Sequence, residues 1–323
     1  MQVSVVVPTF NRREIVLRTV KTLFNQDFPS RQYEIIVVVD GSTDGSAEAL
    51  RALEPSCQFR VIEQENRGLA GARNTGFRVS ESELVIFLDD DMLCDPILIS
   101  EHYAAHQSNG EVIGFGAIFL SADSPPTLAA ECFNREVGAY YLQQRENPGL
   151  PWPRTACIFG NTSVPRRLLI ESGGFDERFL MREDAERGAR LFAAGAVARY
   201  LPKAVAHQIY RKTAADLIRD AEKFAIADRL FVREHPESVA ETLWGRISRE
   251  PLWKRIVRRS AAECPALADC ILVPFCWLCE QIELLRAPGA RALQVRRIVY
   301  WYRKTLELNC GDASVNEHLC GEA

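Results

Sequence analysis

The 323-residue chain lacks several features that would place it in other protein classes. No glycine-rich GxGxxG sequence follows the first strand-like run, which argues against a dinucleotide-binding dehydrogenase. The most apolar stretch, residues 266–278, contains Asp269 and is shorter than the roughly 20 residues that a membrane-spanning helix needs. Internal repeats and low-complexity segments are absent as well, and the composition is that of an ordinary globular enzyme.

A secretion signal is also missing at the N-terminus, because the apolar stretch at residues 3–7 is short and Pro8 follows it at once. We therefore expect a cytoplasmic protein whose ten cysteines stay reduced. Cys276 and Cys279 form a CxxC pair, but no second pair at zinc-ribbon spacing accompanies them. Buried thiols on a helix are the favoured interpretation of this pair.

The net charge of -4 is small, which argues against nucleic acid as a partner of the whole molecule. Its distribution is uneven, since residues 245–304 hold twelve Lys and Arg against five Asp and Glu. Within this basic segment, residues 266–278 favour a buried helix. The alternative is a segment in peripheral contact with the anionic inner face of a membrane, because arginines flank it and Trp253, Trp277 and Trp301 supply amphipathic rings.

Alternating strand and helix signals predict an α/β fold. Strand-like runs lie at residues 3–7, 35–39, 59–62, 84–88, 112–120 and 197–201, with helical patterns between them. We expect a Rossmann-like, mostly parallel central sheet flanked by helices in residues 1–235. Residues 236–323 are predicted to form a C-terminal helical extension, because strand alternation disappears there.

The most informative stretch is residues 84–91, an apolar strand that ends in Asp89, Asp90 and Asp91. Open α/β sheets bind their ligands just beyond the carboxyl ends of strands. Three adjacent carboxylates repel one another at reduced dielectric, so they need solvent or a cation. A divalent cation bound through oxygen fits this requirement, and a solvated acidic turn is the alternative.

Six motifs in a fixed order resemble family 2 of the inverting glycosyltransferases, which have the GT-A fold. The motifs are VVVPTFN at 5–11, DGSTDG at 40–45, ARNTG at 72–76, FLDDD at 87–91, GGFDE at 173–177 and ED at 183–184. The resemblance implies a GT-A domain at residues 1–235, with a nucleotide-sugar-binding half at 1–120 and an acceptor half at 121–235.

The same resemblance implies transfer of a sugar with inversion from a nucleoside-diphosphate sugar, with UDP as the expected nucleotide. The acceptor would be a hydroxyl of a saccharide, a lipid-linked molecule or a small molecule. A nucleotidyltransferase that makes nucleotide sugars is an alternative, although no glycine-rich basic loop follows the first strand. A non-catalytic nucleotide-sugar-binding protein is a further alternative, but it would be expected to lose the aspartates.

By resemblance, Pro8 and Thr9 lie under the nucleotide base, and Asp40 accepts a hydrogen bond from it. Val39 stands where many relatives carry a second aspartate. Arg73 resembles the base or phosphate contact of the family, and a surface ion pair is its alternative role.

The sequence Asp89-Asp90-Asp91 looks like the DxD motif of the family. Asp91 would then ligate Mg²⁺ or Mn²⁺ together with the diphosphate, while Asp89 would contact ribose or the metal through water. Asp90 is assigned to donor binding with its neighbours. His207 is placed where some GT-A enzymes supply a third metal ligand, and a structural histidine is the alternative.

Asp184 matches the general base of the inverting members, which takes the proton of the acceptor hydroxyl. Glu183 is either an acceptor contact or structural, and both acids could merely complement a helix N-terminus. Asn161 is predicted to contact the donor sugar or the acceptor, and a turn-forming side chain is the alternative. His102 and His106 lie one turn apart on a predicted helix, where we expect a partly exposed face.

Overall fold

The computed structural model describes residues 1–107, 111–147, 152 and 157–309. Residue contacts group the chain into two compact units. The first comprises Met1–Ser124 and Val137–Tyr210, and the second comprises Pro125–Glu136 and the chain from Arg211 onward.

Eight strands form one mixed sheet in the first unit. They are β1 (Val3–Thr9), β2 (Tyr33–Asp40), β3 (Gln58–Gln64), β4 (Leu84–Leu88), β5 (Met92–Cys94), β6 (Val112–Leu120), β7 (Asn161–Pro165) and β8 (Val197–Gln208). Their spatial order is β3-β2-β1-β4-β7-β6-β8-β5. The pairs among β1 to β4 and the pair β6–β8 are parallel, whereas β7 and β5 pair antiparallel with their neighbours.

The central strands β1, β2 and β4 are buried along their whole length, as expected for β-branched runs covered on both faces. β1 extends beyond its predicted end through Pro8 and Thr9. Proline is tolerated there because the pairing of β1 with β4 ends at Val6, so no hydrogen-bond donor is needed on that side. The carboxyl ends of β1, β2 and β4 therefore meet at one edge of the sheet.

Helices connect these strands and build the second unit. They are α1 (Arg13–Leu23), α2 (Ser46–Arg51), α3 (Gly68–Val79), α4 (Leu98–Ala105), α5 (Leu128–Phe133), α6 (Ala139–Glu146), α7 (Arg166–Glu171), α8 (Glu183–Ala193), α9 (Ala214–Glu234), α10 (Leu243–Ser248), α11 (Leu252–Glu263), α12 (Pro265–Gln281) and α13 (Arg286–Asn309). A π-helical turn, Asn134–Gly138, and two 3₁₀ turns, Pro236–Glu241 and Glu283–Leu285, complete the described elements.

Two strands were not predictable from periodicity. β5 is only three residues long, and β7 begins with the polar residues Asn161, Thr162 and Ser163. These polar side chains are nonetheless buried, and β7 lies between β4 and β6. Asn161 therefore lies in a strand, and its predicted turn-forming role is wrong.

The packing divides the chain at a different place from the predicted boundary near residue 235. α9 packs against α13 through a core that includes Ala221, Ala225 and Trp301. The indole Nε1 of Trp301 also donates to Asp228 Oδ2 at 3.0 Å. α9 thus belongs to the helical unit because its apolar face is covered by the C-terminal helix.

The structure confirms the prediction for the CxxC pair and contradicts the one for the apolar C-terminal stretch. Cys276 and Cys279 are buried free thiols on α12, as predicted. The favoured interpretation of residues 266–278 as a buried helix is wrong, because Leu267, Ile271 and Trp277 of α12 are exposed. Across the described residues, no single helix is long and apolar enough to cross a membrane.

Candidate active site

The acidic triplet lies directly beyond β4, at the edge where the parallel strands end. Asp90 and Asp91 are almost fully buried, whereas the side chain of Asp89 is 29% exposed. The backbone N–H of Asp89 donates to the carbonyl of Gly160 at 3.1 Å. A Cβ on Gly160 would lie 2.6 Å from Asp89 Oδ2, so glycine permits this close approach.

Arg12, which was not predicted as a site residue, neutralises part of the triplet. Its Nη1 donates to Asp90 Oδ1 at 2.7 Å and to Asp91 Oδ2 at 3.1 Å. Thr9 Oγ1 donates to the other oxygen of Asp90 at 2.7 Å. Its position in the loop after β1, at the same sheet edge as the aspartates, is the sequence signal that could have identified it. By binding Asp90, Arg12 and Thr9 connect the end of β1 and the following loop to the triplet.

Asp91 is held by Arg12 on one side and by Gln208 on the other. Gln208 Nε2 donates to the two Asp91 oxygens at 3.0 and 3.2 Å. Burial raises the pKa of Asp91 to about 7, and the neighbouring charges of Asp89 and Asp90 act in the same direction. A cation near this carboxylate would favour its ionised form.

His207 does not join the acidic triplet. Its Nε2 lies 3.5 Å from Asp95 Oδ1, and its ring lies near that of Phe119. Adjacent side chains of a strand point to opposite faces, and Gln208 is the neighbour that reaches Asp91. Among the residues that the structure describes, no three His, Cys, Asp or Glu side chains form a group that could hold a metal ion. The predicted role of His207 as a third metal ligand stays a prediction.

Arg73 connects the triplet to the ED motif. It is 1% exposed and donates from Nη2 to Asp89 at 3.0 Å. Its Nη1 donates to Glu183 at 3.1 Å and to Asp184 at 2.5 Å. Burial lowers the pKa of this guanidinium, but the charges of the three carboxylates outweigh burial and raise the pKa above its ordinary value. The surface ion pair that was the alternative for Arg73 is thus excluded.

Glu183 and Asp184 open α8, and the residue before them, Arg182, has a left-handed backbone with φ of 67°. Such a conformation is unfavourable for arginine, so the surrounding structure imposes it. Asp184 Oδ2 also accepts the backbone N–H of Phe159 at 3.0 Å. Burial raises the pKa of both carboxyl groups, and the Arg73 charge opposes this shift. A raised pKa suits a group that accepts a proton near neutral pH.

Asp40 ends β2 and is almost fully buried. Its Oδ1 accepts hydrogen bonds from Gln64 Nε2 at 2.6 Å and from the backbone N–H of Arg67 at 2.9 Å. Pro8 lies opposite Val38 of β2. Asp40, Pro8 and Thr9 therefore share the sheet edge with the acidic triplet, where their predicted contact with the donor base stays a prediction.

Asn161 is occupied inside the sheet. Its Nδ2 donates to the carbonyls of Ala117 at 3.1 Å and Ala204 at 2.8 Å, and its Oδ1 accepts from His102 Nε2 at 2.9 Å. Its amide holds strands together, so its assignment to donor binding is wrong. His102 is completely buried and also contacts Ser163 Oγ at 2.8 Å, so the partly exposed face expected for the two histidines is wrong for His102. His106 is partly exposed, as expected.

Two of the family-like motifs pack on each other. Asn74 Nδ2 donates to the carbonyl of Phe175 at 2.9 Å, and Asn74 Oδ1 accepts the backbone N–H of the same residue at 2.8 Å. Glu177 receives bonds from Asn74 at 2.9 Å and from Arg67 at 2.8 Å. The ARNTG and GGFDE motifs thereby fix α3 next to the chain that leads into α8, which positions Arg73 against Asp184.

The site combines five carboxylates with two guanidinium groups, those of Arg12 and Arg73. The negative charge exceeds the positive charge even if Glu183 is protonated. An acidic cleft of this kind repels a phosphate group unless a cation accompanies it. The arrangement can therefore hold a metal-bound anion beside Asp89 and Asp91. The Asp184 carboxylate lies nearby, because Arg73 binds both Asp184 and Asp89.

Comparisons with known proteins were made for sequence and for structure. The family model described as glycosyl transferase family 2 matches residues 4–172. Validoxylamine A glucosyltransferase of Streptomyces hygroscopicus subsp. jinggangensis (strain 5008) is 30% identical over 281 residues, which cover 76% of this chain and 64% of that protein. Chondroitin synthase of Escherichia coli is 28% identical over 236 residues, covering 63% of this chain and 34% of that protein.

Among solved structures, the mannosyltransferase PcManGT from Pyrobaculum calidifontis, in complex with GDP-Man and Mn²⁺, matches with a TM-score of 0.59. Sequence identity is 20%, and the match covers 94% of this chain and 87% of that chain. This likeness concerns the fold alone and confirms the predicted α/β fold of GT-A type. The chain spans 64% and 59% of the lengths of the two validoxylamine A glucosyltransferases that it matches.

Proposed function

The chain belongs to glycosyl transferase family 2, and on that premise we propose that it transfers a sugar from a nucleoside-diphosphate sugar to an acceptor hydroxyl, with inversion. One observation carries the proposal. Buried Arg73 binds Asp89 of the predicted donor motif and, through its other nitrogen, Asp184 of the predicted base motif. A single side chain thus holds the two halves of the required chemistry in one cleft.

The nucleotide is proposed to bind at the carboxyl ends of β1 and β2, over Pro8, Thr9 and Asp40. Two facts support this location: ligands of open α/β sheets bind at this edge, and Asp40 is a buried carboxylate beside it. UDP is the proposed nucleotide. GDP is the second candidate to test, since PcManGT was solved with GDP-Man.

Asp91 and Asp89 are proposed to hold Mg²⁺ or Mn²⁺ when the donor is bound. The donor set fits a hard divalent cation, because it consists of carboxylate oxygens with excess negative charge around them. The metal would neutralise charge on the departing diphosphate. Few protein ligands are required when two phosphate groups supply others.

Asp184 is proposed to act as the general base. Its carboxylate takes the proton of the acceptor hydroxyl while that oxygen forms a bond to the anomeric carbon and the bond to the diphosphate breaks. Arg73 and the Phe159 N–H orient the carboxylate, and Glu183 shares the arginine as an acceptor or structural contact. The acceptor is proposed to be a saccharide, a lipid-linked molecule or a small molecule.

The central test separates donor binding from transfer. We expect Asp184→Asn to bind nucleoside-diphosphate sugar normally while losing about 10²–10⁴ in transfer rate, the usual contribution of a general base. Asp91→Ala should instead lose metal-dependent donor binding. Calorimetric titration with UDP-sugars and GDP-sugars in Mn²⁺, followed by measurement of nucleotide release, distinguishes the two. Glu171→Gln, at an exposed position on α7, is the control.

Equal loss of donor binding in Asp184→Asn and Asp91→Ala would show that Asp184 is structural. Retention of transfer by Asp184→Asn would exclude it as the base. Formation of a nucleotide sugar from a nucleoside triphosphate and a sugar phosphate would favour the nucleotidyltransferase alternative.

A further inference from the structure

The helices α11 and α12 expose apolar side chains that a surface helix would normally cover. On α12, Ile271 is 69% exposed and Trp277 is 66% exposed. Leu267, Val273, Phe275 and Leu278 are exposed as well. With about 100° per residue, the exposed positions of α12 span an arc of about 200°.

The charged residues of α12 point toward the protein and its apolar residues point outward, which is the reverse of an ordinary surface helix. The helix has two charged residues, Asp269 and Glu280, and neither is exposed. Asp269 accepts bonds from Arg296 Nε at 2.7 Å and from the Tyr300 hydroxyl at 2.5 Å, both on α13. Soluble surface helices turn their charges outward, whereas helices in contact with lipid turn them toward the protein. The outward face of α12 therefore has the polarity of a lipid-facing surface.

α11 has an apolar side and a basic side. Its apolar residues, Leu252, Trp253, Ile256 and Val257, occupy one arc and are all exposed. Its basic residues, Lys254, Arg255, Arg258 and Arg259, occupy the opposite arc. Helices with exposed aromatic and aliphatic residues on one face and Lys or Arg on the other lie in the interface of anionic membranes.

α11 and α12 together pass the length and composition test for a membrane segment, but they are bent by 94° at Cys264. Such a bend is compatible with two helices that lie in the membrane surface. We infer that the outer faces of α11 and α12 form a docking surface for an anionic lipid bilayer. The exposed Lys254 and Arg255 of α11 bind lipid phosphates, whereas Arg258 and Arg259 pair with Glu250 and Glu263. The apolar residues of both helices enter the acyl boundary. This places the protein at the inner face of a membrane, and the inference does not depend on the proposed sugar transfer.

A second copy of the chain is the competing occupant. A single helix partner covers one stripe of a helix surface, and the apolar arc of α12 is wider than a stripe. A second copy would bring another basic α11 to this surface and no acidic face, so it offers α11 no complementary charge. The positive charge instead complements an anionic lipid surface.

Vesicle binding tests the inference. The full chain is mixed with vesicles of phosphatidylcholine alone or of phosphatidylcholine with phosphatidylglycerol, at low and at high salt, and bound protein is measured by flotation. We expect strong binding only to the anionic vesicles, weakened by salt. Ile271→Gln and Trp277→Gln should each weaken it by about tenfold or more. Lys254→Glu should weaken binding by about fivefold or more.

Matched controls come from α9 of the same unit, where Ile226→Gln and Lys223→Glu change exposed residues of the same types. Both should bind like the unaltered chain. Acyl-brominated lipids should quench the fluorescence of Trp253 and Trp277. Variants that each lack one of these two tryptophans should show less quenching than the unaltered chain. Absence of binding to anionic vesicles, equal binding to neutral vesicles, or a dimer that Ile271→Gln separates would each overturn the inference.

Discussion

At the scale of single residues, the site depends on the forked shape of Arg73. One nitrogen of its guanidinium reaches Asp89 and the other reaches Glu183 and Asp184. The group also lies 5.5 Å from the centre of the Phe175 ring, so the apolar core supports it from one side. A lysine cannot reproduce these contacts, because its ammonium group is a single point charge on a flexible stem.

We therefore expect Arg73→Lys to lower sugar transfer by at least about tenfold and to destabilise the protein by about 2–4 kcal/mol, because some buried carboxylates lose their partner. Urea unfolding and nucleotide release measure the two effects. Arg67→Lys, at an exposed ion pair with Glu177, is the control and should change stability by less than about 1 kcal/mol. Full activity in Arg73→Lys would contradict the assigned role.

Residue roles were predictable where a short motif encodes them and unpredictable where a distant partner does. The three aspartates and the ED pair could be located because each follows a recognisable strand or opens a helix. Gln208 could not be identified, because its contact with Asp91 joins residues 117 positions apart. Arg12 was overlooked for a similar reason, since its partners Asp90 and Asp91 lie in the loop after β4, far along the chain.

At the scale of elements, a buried histidine holds β7 in the sheet. His102 on α4 contacts both Asn161 and Ser163, so a polar strand that resembles a turn in sequence is stable in the core. The parallel strands were predictable from their apolar runs alone. β7 was not, because its stability comes from this long-range polar network and not from its own pattern.

The same network predicts acid sensitivity. Burial lowers the pKa of His102 to about 4, below the 6.5 of an ordinary histidine. The folded protein therefore keeps His102 neutral, while the unfolded chain takes up a proton below pH 6.5. This contribution to stability is complete above pH 6.5 and is lost as the pH falls toward 4. Its full size is on the order of 3 kcal/mol.

Urea unfolding at a series of pH values checks this expectation. His102→Gln removes the titrating ring, so the decline in stability between pH 6.5 and 4 should become smaller. His207→Gln, which changes a partly exposed ring, should retain the decline. A pH dependence that His102→Gln leaves unchanged would contradict the assignment.

At the scale of the whole molecule, the chain contains two compact units, and α9 marks the division between them. The sequence analysis assigned α9 to the sheet domain, because the predicted boundary near residue 235 was set where strand alternation disappears. Its apolar residues instead contact Trp301, which is far along the chain. Periodicity identifies which face of a helix is buried, but it does not identify the partner.

Hydrogen exchange can test this division. Trp301→Ala should destabilise the helical unit by about 3–5 kcal/mol and increase exchange in α9 and α13 together. Exchange in β1, β2 and β4 should change little. Trp253→Ala removes an exposed tryptophan of the same unit and serves as the control. An α9 that keeps the protection of the sheet strands would contradict the division.

The most direct test of the account is a screen of nucleoside-diphosphate sugars for nucleotide release, with Mn²⁺ or Mg²⁺ and with a chelator. We predict that at least one donor, most simply a UDP-sugar, is turned over with the metal and not without it. We also predict that Asp91→Ala abolishes this turnover. If no donor is turned over and none raises the melting temperature, with or without metal, the proposed glycosyl transfer is contradicted.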